Sequence, residues 1–152
     1  MLVCTASVSC APLGVAGNKA EYPTQKLAQF VLERLDATSL PAAFRPKKEK
    51  GKKTFLDYGF TAQTMDDNEA LLESADGADK VAIKVLDRKS SGIYVCLAEP
   101  GDNGAAPKTQ SVILLKRSDP NALLKGRESF REFAACPEIG GADSTESSTN
   151  GG

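Results

Sequence analysis

The side chains in this chain that could do chemistry are cysteines, carboxylates, lysines, tyrosines and hydroxyls, because none of the 152 residues is a histidine. That absence removes Ser-His-Asp and Cys-His nucleophile pairs, histidine-ligated zinc, HExxH chemistry and a switch in the unperturbed imidazole range. Asp57, Asp66, Asp67 and Glu99 are the carboxylates from which a histidine-free enzyme could be built, given a cleft that gathers two of them and raises their pKa values. No GxSxG, SxxK, P-loop or GxGxxG pattern accompanies them, so no catalytic residue is assigned and an enzyme is the least favoured reading. The acids at 66–69 lack the DxDxDG spacing of a calcium loop, and helix capping accounts for them better. Tyr22, Tyr58 and Tyr94 are scattered and there is no tryptophan, which leaves no evident stacking platform for sugars or bases. No metal or cofactor is expected.

The four cysteines divide into two groups. Cys4 and Cys10 lie in an opening stretch of small and apolar residues whose first charged side chain is Lys19. The segment Ser7-Val8-Ser9-Cys10 resembles the end of a bacterial lipoprotein signal, in which small residues precede a cysteine that becomes the lipidated N-terminus; it departs from that pattern in having Ser7 where leucine is usual. The resemblance implies lipidation at Cys10, and residues 1–18 are expected to be the stub of an export signal or a disordered tail. The other two cysteines, Cys96 in an apolar run and Cys136 just before the chain loses its apolar content, stand 40 residues apart. In an exported protein they form a candidate disulfide, which in the chain-entropy model would contribute about 4 kcal/mol.

Charge is nearly balanced, with 19 basic against 20 acidic residues, but it is not mixed. Arg45, Lys47, Lys48, Lys50, Lys52 and Lys53 form a basic block, relieved only by Glu49. From Thr54 to Asp79 there is no Lys or Arg, and seven acids. The basic block is expected to be a solvated loop or guarded strand edge, with anion binding as its functional alternative. The overall balance gives no strong nucleic-acid signal.

Several elements must position these groups. Leu27, Phe30, Val31 and Leu35 recur at helical spacing, predicting an amphipathic helix of about four turns from Thr24 to Thr38. Alternation over 56–62 predicts a strand, and Asp66 with Glu69 three positions later predicts the start of a second, short helix ended by Asp76-Gly77. Val81, Ile83 and Val85, a turn-rich 87–92 and the apolar 93–98 predict a hairpin, with 111–116 as the next strand of a meander. Asp119-Pro120 through Gly126 predicts another short helix. The fold expected is one α+β domain over 19–141, an N-terminal helix packed on an antiparallel sheet of about four strands, followed by a disordered polar tail over 142–152.

The function favoured on these grounds is a binding or accessory module of the bacterial cell envelope, exported to the periplasm or lipid-anchored. Its partner would be another envelope protein or a wall component, with the membrane reached only through the anchor.

Overall fold

A computed structural model of the chain describes residues 21–136. The helix α1 (Leu27–Arg34) leads into a minimal strand β1 (Leu35–Asp36) and a 3-10 turn (Ala37–Ser39). There follow β2 (Thr61–Met65), β3 (Glu69–Glu73), β4 (Lys80–Lys89), β5 (Gly92–Glu99), a second 3-10 turn (Asp102–Gly104), β6 (Thr109–Lys116) and β7 (Leu124–Glu128). All seven strands join one sheet in the order β1-β7-β6-β5-β4-β3-β2. Strands β2 to β7 form a continuous antiparallel meander, and β1 adds to β7 in parallel, so the sheet is mixed and curls into a half-barrel.

The α+β expectation of a helix on about four strands is therefore corrected: the domain is mostly sheet, with one α-helix. The predicted long helix shrinks to 27–34 because the chain turns extended at Leu35 to pair with Leu124. The predicted helix after Asp66 is strand β3. Ala70 and Leu72 alternate into the core while Leu71 points to the other face, and Asp66 N–H donates to the Glu69 carbonyl (2.8 Å) to close the preceding turn. An acid followed three residues later by glutamate suits a hairpin turn as well as a helix cap, and the adjacent ladder of β4 decides between them. The predicted strand over 56–62 is mostly a turn, in which Phe60 N–H reaches the Phe55 carbonyl (3.0 Å); β2 begins only at Thr61. The predicted helix at 119–126 is an Asx turn, with Asn121 N–H on Asp119 Oδ1 (2.9 Å), followed by β7.

The expected hairpin is present, with Val85 opposite Val95 and Ile83 opposite Leu97, but its strands run on to Lys89 and from Gly92, so the turn predicted over 87–92 contracts to Ser90-Ser91. Side chains alternate along these strands. Ile93, Val95 and Leu97, with Ile113 and Leu115 of β6, are fully buried in the main core together with Val31 and Leu35. Tyr94, Cys96 and Val112 face the opposite side of the sheet, where they form a smaller cluster with Leu86, Phe133 and Cys136. A bulge in β4 lies beside this second cluster. The register of β4 against β5 skips Leu86, pairing Val85 with Val95 and Asp87 with Tyr94. The extra residue reverses the alternation, turning Asp87 to the outer face, where it would otherwise have pointed into the core.

Two latches fix the sheet edge at β1 and β7. Ser39 Oγ donates to the Asp36 carbonyl (2.6 Å) and accepts from Gly126 N–H (2.8 Å). Arg34 donates to the Asn121 carbonyl (2.7 Å). Gly126 is required for close approach: a Cβ there would lie 2.6 Å from Leu40 Cδ2. At the N-terminal end, the Arg117 guanidinium sits 5.3 Å from the Tyr22 ring centroid and 5.1 Å from that of Phe30, and donates to the carbonyls of Glu21 and Pro120. This contact pins the chain preceding α1 to the end of β6.

The sulfurs of Cys96 and Cys136 lie 2.06 Å apart and form a disulfide. Such a bond fits an oxidising compartment of the kind reached by export. Among the described residues, no helix is long and apolar enough to cross a membrane. The stub over 1–18, with Cys10, and the polar tail over 142–152 lie outside the described residues.

Candidate functional site

The segment between the first 3-10 turn and β2 has no strand or helix, so its shape depends on local hydrogen bonds. Asp57 organises it. Its Oδ2 accepts from the N–H groups of Thr54 (2.8 Å) and Lys53 (2.9 Å), while Asp57 N–H donates to Thr54 Oγ1 (3.2 Å). The backbone donors of Thr54, then Lys53, hold the Asp57 carboxyl below its ordinary value of 3.8. Phe55 is thereby driven into the core, where it meets Phe60 edge-on with ring centroids 5.1 Å apart. Tyr58 is left half-buried, its hydroxyl accepting from Glu49 N–H (3.1 Å).

The result is a cleft of about 500 Å³, within the size range of small-ligand sites. Phe44, Tyr58 and Phe60 give it an aromatic base. Arg45 and Lys47 line it with Glu49. The β3–β4 turn contributes Asp76 and Asp79, the start of β4 Lys80 and the end of β5 Glu99. Asp76 is fixed by Ser74 Oγ (2.6 Å) and Ala78 N–H (3.0 Å) on its Oδ1, and these donors, Ser74 first, hold its carboxyl below 3.8. Several lining charges are already paired: Lys80 with Glu73 (3.4 Å) and Glu99 with Lys108 (3.8 Å). Among the described residues, Arg45, Lys47 and Asp79 have no ion-pair partner within 4.0 Å.

The basic block is thus divided. Arg45 and Lys47 line the cleft, Lys48 and Lys50 are exposed beside it, and Lys53 contributes its backbone N–H to the Asp57 turn. Lys52 binds Glu49 (2.7 Å) and lies 5.6 Å from the Tyr58 ring centroid; the hydrogen bond to Glu49 is the main reason its pKa is raised above 10.5. The six cations do not make one uniform anion surface, because Asp76, Asp79 and Glu99 line the same cleft as Arg45 and Lys47.

The four candidate carboxylates are not gathered either. Glu99 lines this cleft, Asp57 is occupied in its turn, and Asp66 and Asp67 line a separate hollow with Lys26, Gln29 and Met65. Among the described residues, no three or more Cys, Asp or Glu side chains cluster as metal ligands.

Phe44, Tyr58, Phe60, Asp76 and Asp79 were not singled out from the sequence as site residues. The signal that could have found them was the pair of opposed charge blocks: a hairpin that brings the acidic block back against the basic loop creates a two-signed cleft. No protein-family model matches the chain, and no curated protein or solved structure is significantly similar to it.

Proposed function

We propose that the protein is a non-catalytic binding module of an exported, disulfide-containing type, and that the cleft over Phe44, Tyr58 and Phe60 is its ligand site. The observation that carries this reading is the arrangement of unpaired charge: Arg45 and Lys47 lining one cleft with Asp79, above an aromatic base. A purely anionic ligand would meet repulsion from Asp76, Asp79 and Glu99, and a purely cationic one from Arg45 and Lys47. A short peptide segment bearing both carboxylate and ammonium groups satisfies both signs, and its apolar portion can cover the rings. Envelope proteins and the peptides of a cell wall both offer that chemistry. The disulfide supports export, and attachment to a membrane would come only through lipidation of Cys10.

The test is a titration of the labelled full chain with short peptides carrying one Lys and one Glu, followed by amide shifts at Phe44, Phe60 and Val81. Binding should weaken at least roughly tenfold in R45Q/K47Q and again in D76N/D79N, the effect of losing a charge-assisted hydrogen bond. Shifts confined to other surfaces, or affinities indifferent to both pairs of substitutions, would remove the cleft as the site. Binding of inorganic phosphate in preference to every peptide would instead favour the anion-binding alternative through Arg45 to Lys53.

A further inference from the structure

The outer face of the sheet carries a second feature that the cleft does not use. Residues 129–136 cross it as a strap without strand or helix, from the end of β7 to Cys136. Beneath the strap lie Tyr94, Cys96, Val112 and Leu86. Ser129 N–H donates to the Val112 carbonyl (2.9 Å), and Phe133 meets the Tyr94 ring with centroids 5.5 Å apart. Arg131 lies 5.1 Å and 5.0 Å from the centroids of those two rings and 3.8 Å from Asp87, the residue that the β4 bulge turns outward. Asp87 is also shared with Lys89 (3.7 Å), and all three side chains are partly exposed, so the ion pair holds the strap weakly. The main core lies on the other side of the sheet and includes no strap residue.

The disulfide is therefore the strongest attachment of the strap and only an accessory to the core. Both cysteines are 4% exposed, but Cys96 and Ala135 line a groove of about 390 Å³ that runs beside the strap over Leu71, Ala82 and Ala98. That groove is where a small thiol would have to approach Cys96.

We propose that the Cys96–Cys136 bond is a redox-sensitive latch: a dithiol entering the groove opens it, and segment 129–136 then lifts from the outer sheet face while the main core stays folded. The chemistry is ordinary thiol–disulfide exchange. A thiolate of the dithiol attacks Cys96 Sγ, the bond to Cys136 breaks, and Cys136 leaves as a thiolate that takes up a proton. The second thiol of the reductant attacks the mixed disulfide, releasing Cys96 as a thiol. The dithiol is oxidised to a cyclic disulfide, and the two electrons and two protons it loses are gained by the cysteine pair.

Hydrogen exchange with mass spectrometry on the full chain, with and without dithiothreitol, tests this. Thiol counting should first show that dithiothreitol reduces the native pair. Peptides covering 129–136 should then exchange at least roughly tenfold faster, while those covering β5 and β6 keep their protection to within about twofold. C136S should show the same pattern with no reductant. Three results would each overturn the latch: a native pair that resists the dithiol, unchanged exchange of 129–136 after reduction, or loss of protection throughout β4 to β6. In a pulse with a monothiol followed by alkylation, the mixed disulfide should map to Cys96; an adduct on Cys136 instead would contradict the groove as the route of access.

Discussion

Asp57 shows what a single carboxylate does here. It looked from the sequence like raw material for acid–base chemistry, yet its oxygen is spent on two backbone N–H groups and its pKa is lowered. A carboxyl lowered in the folded state adds stability above its ordinary pKa of 3.8 and loses that contribution as pH falls through the folded value. Asn at this position cannot supply the charge, so D57N should lower the urea midpoint at neutral pH. The gap from the parent protein should narrow below about pH 3.8, where the parent loses the same advantage. A gap that is constant from pH 7 to pH 3, measured by urea titration at each pH, would mean the carboxylate charge is irrelevant to the turn. The role was invisible in the sequence because an aspartate three residues after a threonine is compatible with a cap, a turn or a site, and only the backbone path decides.

At the scale of elements, legibility followed the strength of the side-chain period. The antiparallel hairpin of Val81, Ile83 and Val85 with Ile93, Val95 and Leu97 could be read because alternation has one structural meaning when one face must be buried; the register, Ile83 opposite Leu97 and Val85 opposite Val95, came from the structure. The short segments 66–76 and 119–126 failed because each combined a capping-type acid with two adjacent leucines, a pattern shared by a brief helix and by a turn entering a strand. Gly126 reads in the sequence as a helix stop; in the structure it admits Leu40 against β7. Leu40 is 1% exposed and has no room to retreat, so Gly126→Ala should destabilise the domain by about 1–3 kcal/mol, as overpacking does. Chemical denaturation would check this, and a variant as stable as the parent would show that the edge at β1 and β7 yields easily. The candidate cleft is half legible: its cations stand out in the sequence as a basic block, whereas its aromatic residues depend on a turn over 55–60 whose alternation reads as a strand.

On the scale of the whole molecule, the near-zero net charge is an arrangement in space as well as a sum, since the basic loop and the acidic hairpin line one cleft. The topology has a similar duality. The meander from β2 to β7 is built of neighbours in sequence, but β1 pairs with β7 through Leu35 and Leu124, across most of the described chain. Closing so long a loop is slow relative to zipping hairpins. Leu35→Ala should therefore chiefly accelerate unfolding and leave the folding rate within about twofold, whereas Val95→Ala, at the centre of the meander, should slow folding. Stopped-flow measurements giving the reverse partition would place the parallel pair in the folding nucleus. The β1–β7 pairing also sets an order on the ribosome. Leu35 is made before its partner, and at ordinary translation rates the chain from 35 to 124 takes roughly 5–20 s to appear. Through that interval Leu35 has no β7 edge to pair with, although β3 and β4, on which α1 packs, are made before β7, so the β1 edge rather than the helix is the part of the domain that waits longest for its partner.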